Sequence, residues 1–244
     1  MRFFSYLGSF IATGAALSSA ASPSCSPSSG DTQVLQFAWA ISEFVGQFYA
    51  SIPINQTFAG GLQNSTSAKV ALANLKGIEK KSNLTIQAIK QVSWKAPNFK
   101  KPSCKYTIPK ANSVLSFARY AYQFETTLSG AYIGLAGYTQ SPEVSFLLAR
   151  LAAEHSAHAT WIGNRVNSTL FPTNSSSLFP AYLPTQVLKS KNETGSLGRY
   201  LHGCVTAPSS PCGSLKIGPL DANTTTSSAS ASSSTAKASR RRLY

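Results

Sequence analysis

The sequence predicts an all-α protein organised as a four-helix bundle, and three observations lead to that class. Between Thr32 and Asn164 four long segments carry apolar residues at helical spacing. None of them contains proline except at a start, where the ring is tolerated. The third observation is the placement of acid: the chain has only 8 Asp and Glu, and four of these fall mid-segment among the most apolar neighbours.

The four predicted helices cover residues 32–51, 67–95, 113–137 and 142–164. At about 1.5 Å per residue each is some 30 to 40 Å long, the length expected of bundle helices. The first is apolar on nearly every side, as a buried helix is; Trp39, Ala40, Gly46 and Ala50 share a face with Glu43. The second gives the seam Leu72, Leu75, Glu79, Ser82, Ile86, Ile89, and the third Val114, Ala118, Ala121, Glu125, Leu128, Tyr132, Leu135. Gly137 is expected to cap the end of the third. The fourth opens with Ser141 as N-cap, Pro142 at the first helical position and Glu143 in the first turn, where a negative charge favours the helix dipole. Its seam reads Val144, Leu147, Leu151, Glu154, His158, Trp161.

Between the second and third helices lie residues 96–112, with three prolines and a cysteine. That connection is long enough to cross the bundle, whereas the other two suit antiparallel neighbours. Residues 165–222, rich in Pro, Ser and Gly, read as a loop-rich segment that wraps the outside.

The two ends lie outside the bundle. A charged start at Met1-Arg2, an apolar run from Phe3 to Leu17 and small residues at Ser19-Ala20-Ala21 read as a secretory signal peptide over 1–21, followed by a short segment at 22–31. The run is short of the about 20 apolar residues that span a bilayer, so a stable membrane anchor is not expected. Residues 223–244 are dominated by Ser, Thr and Ala, a composition that buries too little apolar surface to offset chain entropy, and they are expected to be disordered.

A secreted, extracellular location gives meaning to the N-x-[ST] sequons at Asn55, Asn64, Asn83, Asn167, Asn174, Asn192 and Asn223, and predicts a glycoprotein. It also favours disulfides among Cys25, Cys104, Cys204 and Cys212, which lack metal-binding spacing. Three pairings are possible; loop positions favour Cys204 with Cys212 and Cys25 with Cys104.

The formal charge is +14, from 22 basic and 8 acidic residues, which suggests an anionic partner such as a cell-wall polysaccharide. The lysines are diffuse and no nucleic-acid module is present, so nucleic acid is not an expected partner. A solvated basic surface is the simpler account of so diffuse a charge and the preferred one.

Four carboxylates directed into one core repel one another and cost solvation energy, which metal ions relieve. Two ions such as Fe²⁺ or Mn²⁺ accept oxygen and imidazole ligands and share bridging carboxylates. Glu43, Glu79, Glu125, Glu154 and His158 are therefore the candidate metal ligands. Single ion pairs are the simpler alternative for any one of them, since Lys76 and Arg150 lie one turn before Glu79 and Glu154.

In order and placement these residues resemble the ferritin-like di-metal carboxylate proteins, and among them the secreted ferritin-like proteins of fungi, of the stress-response type. The family pattern is Glu, Glu-x-x-His, Glu, Glu-x-x-His over four helices. The chain departs from it at both histidines: Ser82 follows Glu79 where the first would stand, and Ala157 follows Glu154 where the second would, with His158 one residue later. His155 lies about 100° round the helix from Glu154 and is expected on the helix surface or behind a ligand.

The resemblance implies redox chemistry with O₂, peroxide or ferrous iron at a di-iron or di-manganese site. The competing reading is a non-catalytic secreted scaffold with a vestigial site and a basic surface that binds a cell wall or a protein partner. No G-x-S-x-G, phosphate loop or HExxH motif points to hydrolase chemistry.

Overall fold

The computed structural model describes residues 25–55, 57–58, 65–166 and 180–211. The expected signal peptide, the 223–244 tail, Cys212 and the sequons at Asn64, Asn167, Asn174 and Asn223 lie outside the described residues. Four long helices form the structure, α1 (Asp31–Ala50), α2 (Ser65–Ser93), α3 (Val114–Leu135) and α4 (Pro142–Val166), with no strand among the described residues. Two single-turn helices follow, α5 (Pro184–Val187) and α6 (Gly198–Leu201).

Capping chemistry sets several of the ends. At the start of α3 the Ser113 hydroxyl accepts from the Ser116 amide and Ser116 returns the bond, a reciprocal box that satisfies two otherwise orphaned donors. At the start of α4 the Ser141 hydroxyl accepts from the Val144 amide. Asp31, buried in the first turn of α1, accepts from the Ser28 amide and hydroxyl at 2.7 Å each and from the Thr139 hydroxyl. That carboxylate ties the first helix to the turn before α4. The end of α3 differs from expectation. Gly137 sits inside a 3-10 turn, Ala136–Tyr138, and α3 is capped by Ala136 in right-handed conformation. The tightened turn satisfies the last carbonyls, so a left-handed glycine is not needed there.

Contacts along the crossover fix the topology. Thr32 and Gln36, near the start of α1, donate to the carbonyls of Pro97 and Lys100, just beyond the end of α2, so α1 and α2 run antiparallel. The crossover then climbs α1, with Lys101 and Tyr106 reaching Glu43, and delivers the chain to Phe117, which stacks on Phe48 near the end of α1. α3 therefore descends beside α1, and α4 returns along α3 in the most extensive helix pairing of the molecule.

The core is aromatic on the α1–α3 side, where Phe44, Phe48, Phe117 and Phe124 are all fully buried. The C-terminal segment is laid over this pair. Tyr200 stacks on Phe44 at 5.0 Å and meets Phe124 edge-on, while the Tyr182 amide donates to the Gly130 carbonyl of α3. A Cβ on Gly130 or Gly134 would fall closer than 3.0 Å to Tyr182, so glycine is required where this strand of chain crosses the helix.

A disulfide joins Cys104 of the crossover to Cys204 beyond α6, with Cα atoms 5.2 Å apart. It overturns the pairing favoured from loop positions, Cys204 with Cys212 and Cys25 with Cys104. Proximity along the chain suggested a local loop, but the α6 segment docks on the crossover, where the Thr107 amide donates to the Tyr200 carbonyl, and brings Cys204 beside Cys104.

Candidate metal centre

α3 and α4 pack along most of their length, and at mid-height each contributes ionisable groups to the interior. α3 supplies Glu125, which has no solvent exposure, and α4 supplies His155 and His158, 1% and 7% exposed. One oxygen of Glu125, Oε2, lies 2.6 Å from His155 Nδ1 and 3.3 Å from His158 Nδ1. The other, Oε1, accepts a 2.7 Å hydrogen bond from the hydroxyl of Tyr49 on α1. Tyr132 packs its ring 5.4 Å from that of His155 and is hydrogen-bonded through its hydroxyl to Ser42.

Burial pushes the Glu125 carboxyl up. The charge and hydrogen bond of His155, then those of His158, pull it down by more and hold it at about 2. Tyr49 is driven the other way, well above the ordinary phenol value, by burial first and then by the adjacent Glu125 charge. Glu125 is thus an anion and Tyr49 a neutral donor at ordinary pH. His155 Nε2 is buried and has no hydrogen-bond partner among the described residues. A buried polar atom left so costs about 1–3 kcal/mol and calls for an explanation.

Of the five residues singled out from sequence, this cluster contains two, Glu125 and His158. Glu43 points to the crossover, 2.7 Å from Lys101 Nζ and 3.2 Å from the Tyr106 hydroxyl. Glu154 sits on the flank of α4, 3.8 Å from Lys81 of α2. Glu79 is half-buried on α2 and makes no hydrogen bond or ion pair among the described residues. His155, expected at the surface or behind a ligand, is instead in the cluster. A signal for it exists in the sequence: Val144, Leu148, Leu151, His155, His158 and Ile162 step by four and three without a break, whereas the walk through Glu154 takes a different turn after Leu151.

Glu125, His155 and His158 each present one ligand atom, and these atoms all lie within 4.8 Å of one another. One carboxylate with two imidazoles is a donor set that suits Fe, Mn and Zn. By the chemistry of its donors the set fits one divalent ion.

Residues 30–168 match the ferritin-like domain family. The chain belongs to that family. The matched stretch contains all four bundle helices and the whole Glu125–His155–His158 cluster, and leaves the C-terminal segment outside. No curated protein and no solved structure matches the chain.

Proposed function

We propose that this ferritin-like protein is secreted and glycosylated, that it binds iron or manganese through Glu125, His155 and His158, and that it uses the metal in redox chemistry with O₂, peroxide or ferrous iron. The observation that carries the reading is a fully buried carboxylate faced by two buried imidazoles at the middle of a ferritin-like bundle. A bound ion of this kind would supply a change of oxidation state.

The chain's own residues prepare the site. Tyr49 orients Glu125, the Tyr132 ring packs beside His155, and burial of all three donors in the interior holds bulk water away. Export is supported by the signal-like start, the sequons and a disulfide of the kind that persists in oxidising compartments. No helix among the described residues is long and apolar enough to cross a membrane.

Two observations favour the scaffold reading instead. Glu43 and Glu154 are neutralised by Lys101 and Lys81, which removes the repulsion that would demand metal at those positions. Under this reading the basic surface engages a wall polysaccharide or a protein partner.

Elemental analysis separates the two. Protein purified from a secretory host without chelator is expected to carry iron or manganese, and the Glu125→Ala/His158→Ala variant none. Absence of metal from the wild type after loading with Fe²⁺ and Mn²⁺ would leave the scaffold.

A further inference from the structure

The two oxygens of Glu125 are engaged differently, and the difference bears on how many ions the bundle can hold. Oε2 faces both imidazoles, while Oε1 is occupied by the Tyr49 hydroxyl. We propose that Glu125, His155 and His158 hold a single metal ion, and that Tyr49, by holding Oε1, keeps Glu125 turned so that Oε2 faces both imidazoles. This rests on the metal-binding reading above and specifies its stoichiometry.

A bridged pair of ions requires a carboxylate with both oxygens free, or several carboxylates converging on the same volume. Neither condition is met. Tyr49 is fully buried, and its ring is held edge-on by Phe48 at 5.5 Å and Phe117 at 5.9 Å, so its hydroxyl is fixed against Oε1. Turning away would leave both the phenol and the carboxylate oxygen unpaired in the interior, which opposes the movement.

The other carboxylates lie outside the cluster: Glu79 makes no ion pair among the described residues but is half-buried on the flank of α2 and is not among the grouped donors. Glu43 is held by Lys101 and Tyr106, and Glu154 lies beside Lys81 with its side chain 22% exposed. On α2, Ser82 stands where the family pattern has a histidine, and its hydroxyl donates to the Ile78 carbonyl one turn back. What remains is one carboxylate oxygen and two imidazole nitrogens around one point.

The test is a cobalt(II) titration of the metal-free full-length protein, followed by visible d–d absorption and by metal analysis after removal of unbound ion. Sites are counted as those lost in the His155→Ala/His158→Ala variant, which removes any background from His202. Saturation at one cobalt per chain is expected. Tyr49→Phe, checked for folding by circular dichroism, is expected to bind one cobalt about tenfold more weakly with a shifted absorption band, because Glu125 is freed to turn. Glu43→Gln and Glu154→Gln are expected to leave both affinity and spectrum unchanged. Two cobalt ions per chain would overturn the single-ion assignment while sparing the metal-binding reading, whereas no cobalt in the wild type would sink both. An unaltered spectrum and affinity in Tyr49→Phe would remove Tyr49 from the account, and loss of binding in either glutamine variant would show that a second carboxylate belongs to the site.

Discussion

At the residue scale, buried ionisable groups are held in place by what they touch. Glu125 keeps its charge in the interior because two imidazoles and a phenol surround it, and the same site without those partners would favour the neutral acid. Tyr182 shows the opposite case of a group kept neutral. Burial, and then the nearby Tyr122, pushes its phenol up from the ordinary 10.0 to about 12. A group whose folded value is raised contributes stability that is whole below its unfolded value and is lost as pH rises through its folded one. Tyr182 therefore adds to stability below pH 10 and loses that contribution between 10 and 12. Urea midpoints measured across that window are expected to fall less steeply in Tyr182→Phe than in the wild type. Equal slopes would show that the phenol is as solvated folded as unfolded.

At the element scale, helix surfaces decide what a glycine is worth. Gly77 on α2 has nothing within 4 Å of the position a Cβ would take, so Gly77→Ala is expected to stabilise the protein by about 0.5–1 kcal/mol through backbone entropy alone. Gly134 on α3 lies under the backbone of Tyr182, and Gly134→Ala is expected to destabilise despite the same gain in helix propensity. Chemical unfolding of the two variants side by side checks the pair, and stabilisation by both would mean that residues 180–182 do not rest on α3.

The helices also show what could be read in the sequence. All four were legible to within about two residues, a usual tolerance for helix ends, because long apolar periodicity without proline leaves few alternatives. The phase of that periodicity was harder. On α2 the described buried positions are Ala71, Leu75, Ile78, Ser82, Thr85, Ile89 and Ser93, steps of four and three that leave Glu79 on the flank. A walk through Leu72, Glu79 and Ile86 fits the sequence nearly as well, since apolar residues occupy both tracks. On α3 the tracks agree, and Glu125 was placed in the core. On α4 they diverge after Leu151, and the deeper one carries His155. Four carboxylates on four seams was thus one carboxylate on a seam and three on flanks, two of them facing lysines that no helical period could reveal, because Lys101 comes from the crossover and Lys81 from a neighbouring helix.

At the scale of the whole molecule, the crossover and the C-terminal segment form one tied unit clamped over α1 and α3, while the candidate metal donors sit between α3 and α4. The Cys104–Cys204 bond spans a sequence separation of 100 residues, and closing a loop of that length removes about 4.7 kcal/mol of unfolded-chain entropy in the simplest treatment. Its loss should be felt first where it acts, at the docking of Tyr200 on Phe44 and Phe124. The donors depend on α3–α4 packing, which the bond does not cross. Cys104→Ser is therefore expected to lower global stability by about 2–5 kcal/mol, measured by urea unfolding, while metal content under native conditions stays at the wild-type level. A variant that kept its stability would show that the segment is held by its aromatic contacts alone. One that lost its metal while still folded would show instead that the clamp over α1 reaches the site, and the path for that coupling is short: Tyr49, which orients Glu125, stands next to Phe48 in the aromatic cluster that Tyr200 covers.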